Sequence, residues 1–256
     1  FTFPEIKPDY EHFAIRGWQI ATDDMIVATR EILESVENIL DVTFEEVDSA
    51  YNTNVIAIGR SLQTNSAGLS YFPNVNYQIG MDVFIASDYA KPQFVNSILT
   101  NYDYEVLLHE LGHALGLKHP FEASGANKVI LSSKEDQTLF TAMSYEATST
   151  TFDGQFRVLD LMALTALYGV NAEHNNGNDT YIFSGSGGQG IIDGSGLDTI
   201  DASVTSENVF IDLRQGSQSY LGFKTQFITD PYQLTISNGT IIENVKTGMG
   251  DDTVIG

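Results

Sequence analysis

The chain has 256 residues, 42 % hydrophobic and 18 % charged, a balance typical of a globular protein with one large or two modest domains. Its formal net charge of −22 argues against nucleic acid or an anionic membrane as a partner, because both would be repelled. The absence of cysteine excludes disulfides, thiolate metal ligands and a thiol nucleophile.

Short β-prone runs and one amphipathic helix are predicted for the first ninety or so residues. Residues 1–4 are aromatic and β-prone, and acidic residues near position 23 begin a helix whose apolar positions repeat at helical spacing to about Leu40. Further β-prone runs, separated by Asn, Gly, Ser and Pro, lie at 42–44, 55–58, 69–72 and 82–86. One helix among about five strands predicts an α/β sheet with the helix packed on it.

The second predicted helix begins near Asn101 or Asp103 and carries the pattern H-E-x-x-H-x-x-G-x-x-H at residues 109–119. Residues four apart share one face of a helix, so the first two histidines can offer nitrogens to one metal ion. Gly116 permits a left-handed turn, after which the chain can swing back and bring His119 as a third ligand. Three protein nitrogens leave a fourth position for water, the arrangement of a catalytic zinc site.

Glu110 and a later Met-containing segment complete this pattern. Glu110 lies beside the predicted metal and can act as general base for a water that attacks a carbonyl. Residues 141–145 read T-A-M-S-Y, and a last helix is predicted from about Val158 to Tyr168. Chance is a poor explanation, because the chain holds only five histidines and the Glu and Gly also fall in place.

The composition changes after Asn171, where Gly, Asp, Asn and Ser alternate with short β-prone pieces. Two segments, 194–200 and 248–254, match G-x-G-x-D followed by x and a large apolar residue. In a parallel β-helix, such glycines allow tight turns and the Asp side chains bind Ca²⁺ between turns. One copy is more often a polar loop, whereas two copies favour calcium. Because stacked repeats need neighbours, we expect that a longer native protein was truncated at Gly256.

These motifs resemble the serralysin branch of the metzincins, which are secreted bacterial zinc endopeptidases. The resemblance rests on N-Y-D-Y at 101–104, L-K-H-P at 117–120, M-S-Y at 143–145 and L-Y-G-V-N at 167–171, with weaker similarity at 67–73 and 209–214. It implies an α/β (α+β) metzincin catalytic domain at 1–172, with a mixed twisted sheet and long helices. An all-β, parallel β-roll-like calcium-binding domain would follow at 173–256.

The resemblance also implies roles for single residues. The ligands of one catalytic Zn²⁺ would be His109, His113 and His119, with Glu110 as base. Met143 would form an apolar floor beneath the metal. Tyr145 would be an extra ligand in the resting enzyme that swings away to hydrogen-bond the reacting carbonyl oxygen. Several structural Ca²⁺ ions would be held by Asn175, Gly177, Asp179, Asp193, Ser195, Gly196, Asp198, Ile241 and Glu243, and the second repeat adds Gly248, Gly250 and Asp252.

The predicted partners are protein or peptide substrates and a proteinaceous protease inhibitor. The segment Gly68, Leu69, Ser70 and Tyr71 is predicted to form an edge strand over the cleft, where an extended peptide can add a strand. We expect a monomer. We also expect no membrane insertion, because no apolar run approaches the ~20 residues of a membrane helix. No basic segment followed by an apolar one opens the chain, so we expect that an export signal either lies outside these residues or has been removed. The resemblance implies extracellular secretion through a C-terminal signal that this chain lacks.

Two positions depart from the family pattern. Ala142 stands where a larger apolar residue is frequent, and Phe121 follows His119-Pro120 where Gly is common; both bear on pocket shape rather than on activity. A second hypothesis is a calcium-dependent adhesion or binding module with a vestigial zinc site, which the acidic, Gly-rich segments fit equally well. The intact Glu110 and Tyr145 argue against it, because a decayed enzyme needs neither.

Overall fold

A computed structural model describes residues 1–10, 12–48, 54–74, 76–88, 101–125, 127–147 and 154–256. It divides into two compact units, Phe1–Ser35 with Thr43–Arg157 and Val36–Val42 with Val158–Gly256. The grouping places the last helix in the second unit, whereas the predicted domain boundary lies after that helix, at 172. The boundary itself stays a prediction. No described helix is both long and apolar enough to cross a bilayer.

A three-stranded sheet forms the centre of the first unit. Its strands are β1 (Ile58–Ser61), β2 (Gly68–Ser70) and β3 (Val83–Ala86), in the order β1-β3-β2. β3 runs parallel to β1 and antiparallel to β2. All four residues of β3 are buried, as expected for a central strand covered on both faces. Among the described residues, β2 pairs with β3 only and is therefore an edge strand.

Two helices accompany the sheet, together with a short 3-10 helix at Phe13–Ile15. Helix α1 spans Asp23–Glu37; it starts where the sequence predicts but ends about three residues earlier. Helix α2 spans Asn101–Ala114 and packs against β2 and β3. The cap predicted at its first turn adjoins residues 89–100, which lie outside the described ranges.

The stop predicted at Gly116 is confirmed. Gly116 has φ 101°, a left-handed conformation that favours glycine. The Gly116 N–H donates to the His113 carbonyl at 2.9 Å, and the Leu117 N–H donates to the Gly112 carbonyl at 2.9 Å. These two bonds form a Schellman motif, which satisfies the last helical carbonyls and turns the chain back towards α2.

Two predicted strands are wrong among the described residues and one is displaced. Residues 1–4 contribute only a single parallel bridge from Thr2 to Ala57. Residues 42–44 form no strand, because the Val42 N–H bonds to the nearby Leu40 carbonyl at 2.8 Å. The run at 55–58 becomes a strand only from Ile58 onward. A short β-prone run becomes a strand only where a partner lies alongside.

The second unit contains helix α3 (Val158–Tyr168), as predicted, and two sheets. The eight strands are β4 (Thr180–Ile182), β5 (Gln189–Ile191), β6 (Thr199–Asp201), β7 (Val209–Asp212), β8 (Gln218–Leu221), β9 (Gln233–Ile236), β10 (Asn244–Lys246) and β11 (Thr253–Ile255). One sheet has the order β10-β6-β4 and the other β11-β7-β8-β9-β5. Ile200, Ile211, Leu234 and Ile236 are among the residues of their shared apolar core.

The strand directions agree only in part with the predicted parallel arrangement. The three-stranded sheet is parallel throughout, and the pairs β11–β7 and β5–β9 are also parallel. β8 instead runs antiparallel to both neighbours. The connection from β7 to β8 covers only residues 213–217, which is too short for a parallel crossover. The mixed α/β character of the whole chain is confirmed.

Candidate active site

Three imidazole rings converge where α2 ends. The Nε2 atom of His119 lies 3.2 Å from that of His109 and 3.1 Å from that of His113. The opposite ring nitrogens, the Nδ1 atoms, face oxygens: Ala142 O at 2.8 Å from His109, Leu117 O at 2.7 Å from His113, and Glu122 Oε2 at 3.2 Å from His119. Each Nδ1–H therefore donates to oxygen, and each Nε2 directs a lone pair at the same point.

This donor set fits a zinc ion. Three lone pairs at such separations repel one another unless a cation lies among them. Tetrahedral Zn²⁺ with nitrogens at about 2.0–2.1 Å holds its ligand atoms roughly 3.3 Å apart, close to the observed spacing. Burial, aided by the neighbouring imidazoles, lowers the pKa of His109 to about 3 and that of His113 to about 4. Both rings are therefore neutral near pH 7, the state that binds metal.

The Glu110 carboxyl lies beside the histidines, on the side of the edge strand. Its residue is only 6 % exposed, and burial raises the pKa of Glu110 to about 8. A cation among the histidines would favour the carboxylate and lower that value. A Cβ placed on Gly68 would lie 2.6 Å from both Cγ and Oε1 of Glu110. The glycine therefore provides the space that the carboxyl occupies.

Tyr145 and Met143 both accompany the histidines, but Tyr145 is an exposed polar residue and Met143 a buried apolar one. The Tyr145 hydroxyl is 2.9 Å from His119 Nε2, and its ring stacks on His109 with centroids 5.5 Å apart. Its residue is 66 % exposed, so the ring has room to move. Met143 is buried, and a Cβ on Gly112 would lie 2.6 Å from its sulfur. Met143 therefore packs against α2 at Gly112, the residue before His113.

A cavity of about 380 Å³ opens beside His109 and Glu110, lined on one side by residues 65–68 and on the other by α2. Glu105 of α2 lies in its wall. The Glu105 carboxylate pairs with the Arg157 guanidinium at 2.9 Å, and the two side chains are only 12 % and 11 % exposed, respectively. The negative charge in the cavity wall is thus compensated by a buried cation.

Of the predicted substrate segment, Gly68 lines this cavity, and the described side chains of the segment divide between two faces. Gly68 faces Glu110, whereas Leu69 and Tyr71 pack against the cluster formed by Ala14, Ile15, Ile79 and Phe84. Tyr71 lies just beyond β2, and its hydroxyl is 3.3 Å from His12 Nδ1.

Three of the predicted calcium ligands form a second cluster, in the second unit. Carboxylate oxygens of Asp179, Asp193 and Asp198 lie within 4.8 Å of one another. Asp193 and Asp198 are 1 % and 0 % exposed, and within the described chain Asp193 Oδ1 and Asp198 Oδ2 have no hydrogen-bond partner. Burial and then the neighbouring carboxylates raise the pKa of Asp193. Buried acids in such proximity fit a hard divalent cation.

The other predicted calcium residues of this region make different local contacts. A Cβ on Gly196 would lie 1.8 Å from the Gly177 carbonyl oxygen, and the Asp198 N–H donates to Glu243 Oε2 at 2.8 Å. Asn175 Nδ2 donates to the Ile192 carbonyl and Ser195 Oγ to the Ala172 carbonyl, while Ile241 exposes its side chain.

The second repeat lies elsewhere, against residues 205–209. Cβ atoms on Gly248 and Gly250 would approach the carbonyls of Thr205 and Glu207, and Asp252 Oδ1 accepts the Val209 N–H at 2.9 Å. In the described ranges this repeat forms no group of three metal-binding side chains. The calcium roles of all these residues stay predictions.

Comparison with known proteins gives matches along most of the chain, although no protein-family model matches. Serralysin B from Dickeya chrysanthemi is 28 % identical, covering 87 % of this chain and 51 % of its own length. Serralysin from Proteus mirabilis is 27 % identical, covering 100 % and 58 %. Metallopeptidase AprA from Pseudomonas marginalis is 26 % identical, covering 88 % and 52 %. These similarities, at 26 to 28 % identity over most of the chain, support a serralysin type.

The serralysin-type resemblance inferred from the motifs is thereby confirmed. The chain spans about half the length of the curated relatives it matches. The sequence pattern predicted the three histidines, Glu110 and Tyr145 as site residues, and the structure brings the histidines and Tyr145 together. The pattern did not predict the groups that hydrogen-bond the imidazoles. Two of these are backbone carbonyls, of Ala142 and Leu117, for which a side-chain pattern gives no signal. The third is the Glu122 side chain, which follows His119 by three residues. That spacing lets the two side chains meet across a turn, so the sequence does indicate this contact.

Proposed function

We propose that this protein is a secreted zinc-dependent endopeptidase that hydrolyses peptide bonds of extended polypeptide substrates. The observation that carries the proposal is the convergence of three histidine Nε2 atoms next to the buried Glu110 carboxyl. The names serralysin and metallopeptidase, carried by its relatives, support the same reaction class.

The residues of the chain divide the chemistry among them. His109, His113 and His119 would hold zinc, which when bound supplies a Lewis acid and lowers the pKa of a water molecule. Glu110 takes the proton of the attacking water and passes it to the leaving amine. The Tyr145 hydroxyl lies near enough to the histidines to donate a hydrogen bond to the developing oxyanion.

Backbone pairing along β2 explains how an extended peptide would bind. The Ala67 carbonyl accepts the Ala86 N–H at 2.9 Å, and the Tyr71 N–H donates to the Asp82 backbone carbonyl at 3.3 Å. The odd-numbered residues of this segment therefore bond towards β3. In an antiparallel pair the intervening residues face the other way. Gly68 and Ser70 therefore offer their N–H and C=O groups to a substrate strand. Recognition through the backbone favours unfolded or flexible polypeptides.

The cavity beside Glu110 suits an uncharged substrate side chain. Its wall contains two carboxyls; Glu110 is assigned to the reaction, so the Glu105 carboxylate is the group left to attract a cationic side chain. Arg157 already neutralises that carboxylate at 2.9 Å, so a second cation there would be repelled by the guanidinium. We therefore expect neutral residues of medium or large size next to the scissile bond.

Calcium is proposed as the structural cofactor of the second unit, with Asp179, Asp193 and Asp198 as principal ligands. The parallel pairs among its strands support a β-roll-like arrangement. Extracellular calcium would hold this unit folded, in agreement with secretion of a monomeric enzyme. We also propose that a proteinaceous inhibitor can bind in the cleft.

The deciding experiment compares the wild type with Glu110→Gln on casein and on a quenched fluorescent peptide, in zinc and calcium. We expect the substitution to lower kcat by about 10² to 10⁴-fold, because the proton acceptor is lost. Zinc content should stay equal, because Glu110 is not a ligand. Glu34→Gln, at an exposed position on α1, is the control and should keep full activity.

The second hypothesis, a calcium-dependent adhesion module with a vestigial zinc site, is supported by the carboxylate cluster alone. It predicts equal, negligible hydrolysis by the wild type and Glu110→Gln on a broad library of peptides. A library is preferable to casein alone, because a highly selective protease would ignore a generic substrate.

A further inference from the structure

His119 differs from the other two histidines in how the chain holds it. His109 and His113 belong to α2, whose hydrogen bonds fix their backbone. His119 follows the Schellman turn and belongs to no helix or strand. A ligand on a loop needs other contacts to keep its ring aimed at the metal.

The backbone around His119 is closed into a turn by Lys118. The Lys118 ammonium donates to the His119 carbonyl at 3.1 Å and to the Glu122 carbonyl at 2.8 Å. The Glu122 N–H donates to the His119 carbonyl at 3.4 Å, and the Leu131 N–H donates to the Pro120 carbonyl at 2.8 Å. Both ends of the turn are therefore tied to one cation.

Two side chains of the same turn fix the His119 ring itself. The Phe121 ring stacks on it with centroids 5.0 Å apart and planes within 9°. Phe121 also contacts the Tyr145 ring, with centroids 5.0 Å apart. Glu122 Oε2 lies 3.2 Å from His119 Nδ1 and fixes the tautomer whose Nε2 faces the other histidines.

We propose that Lys118, Phe121 and Glu122 form a clamp that positions His119 for zinc binding. The inference rests on the proposed function. Stacking sets the plane of the ring, the carboxylate sets its rotation, and the ammonium holds the turn that carries both. Glu122 is also charged, unlike the two backbone carbonyls that orient His109 and His113. A carboxylate partner makes an imidazole a stronger donor and offsets part of the charge of a bound cation.

The clamp is tested by measuring zinc affinity, without substrate, by competition with a chromophoric chelator. We expect Glu122→Ala to weaken zinc binding by about 10- to 100-fold, the usual effect of removing a ligand's hydrogen-bond partner. Glu34→Ala removes the same charge from an exposed position on α1 and should bind zinc like the wild type. Thermal unfolding of the zinc-free proteins should coincide, because the Glu122 side chain is 62 % exposed.

Phe121 supplies a second variant pair and a spectroscopic signature. Phe121→Ala should weaken zinc binding and change the visible absorption of the Co²⁺-substituted protein, which reports ligand geometry. Phe121→Tyr keeps the stacked ring and should restore both. Wild-type affinity and an unchanged Co²⁺ spectrum in Glu122→Ala and Phe121→Ala would overturn the clamp.

The readouts separate the clamp from the proposed function. A wild type that binds zinc but hydrolyses no peptide contradicts the proposed function and leaves the clamp standing if Glu122→Ala still loses affinity. Hydrolysis by the wild type, together with undiminished zinc affinity in both clamp variants, contradicts the clamp alone.

Discussion

Gly68 occupies the one place in β2 where a side chain would collide with the proposed general base. A Cβ there would come within 2.6 Å of Glu110 Cγ and Oε1 and within 2.8 Å of Cδ, and the carboxyl is enclosed. The same glycine presents its backbone to the open edge of the sheet. One residue therefore both admits the carboxyl and offers hydrogen bonds to a substrate strand.

We predict that Gly68→Ala lowers kcat by about 10- to 100-fold, because displacement of a catalytic group by roughly 1 Å has effects of that size. Zinc affinity should not change, since the three atoms nearest to the new methyl group all belong to Glu110, which is not a proposed ligand. Gly187→Ala is the matched control, because its Cβ would have no atom within 4 Å. An unchanged kcat would show that Glu110 can shift without loss of function.

At the scale of elements, a buried aspartate joins the N-terminal segment to the sheet. Asp82 immediately precedes β3, and its carboxylate accepts the Ala57 N–H at 3.0 Å and the Tyr10 hydroxyl. It is 1 % exposed, and burial raises the pKa of Asp82 to about 7. Burial and the adjoining carboxylate likewise raise the pKa of Tyr10.

The raised pKa of Asp82 predicts a pH dependence of stability with a definite sign. Below about pH 4 both states hold the proton; as the pH rises to 7 the unfolded chain releases it and the folded chain keeps it. The free energy of unfolding should therefore fall across this window, by on the order of a few kcal/mol from this group. Asp82→Asn should show a shallower decline, because the share from this carboxyl is removed while other buried acids such as Glu110 keep theirs.

Urea unfolding between pH 4 and 8, followed by fluorescence of the single tryptophan, measures this difference. Trp18 packs edge-on against Phe84 at 6.2 Å and reports on the first unit. Asp9→Asn, at an exposed position, is the control. Parallel curves for the wild type and Asp82→Asn would contradict the prediction.

At the scale of the whole molecule, the two units differ in what holds them together. The first has a buried central strand and a long buried helix, whereas the second has short strands around a smaller core and a group of buried acids. Of the 256 residues, 34 are acidic and 12 are basic, so few cations are available to compensate such a group. Bound calcium would supply the missing positive charge.

Removal of calcium should therefore loosen residues 175–256 before the first unit. Limited proteolysis of the Glu110→Gln variant avoids self-digestion, with zinc present and calcium either present or removed. Early cleavage sites should fall within 175–256 only when calcium is removed, because the carboxylates of Asp179, Asp193 and Asp198 then repel one another. Equal protection of this region in both conditions would argue against a structural role for calcium.

The sequence by itself determined the features that depend on local spacing. Histidines four residues apart lie on one helix face whatever surrounds them, and Gly116 ends that helix because only glycine enters the left-handed conformation easily. The same reasoning located α3 and the start of α1. The serralysin-type motifs are short runs of consecutive residues, so they could also be identified without a structure.

Only the tertiary structure decided the features that join distant segments. Residues 1–4 and 42–44 look like strands, but a run of this length forms one only beside a partner. The contacts of His109 with the Ala142 carbonyl, and of Glu110 with Gly68, link residues more than thirty positions apart. Composition and periodicity describe one segment at a time, whereas these contacts depend on how the packed core brings segments together.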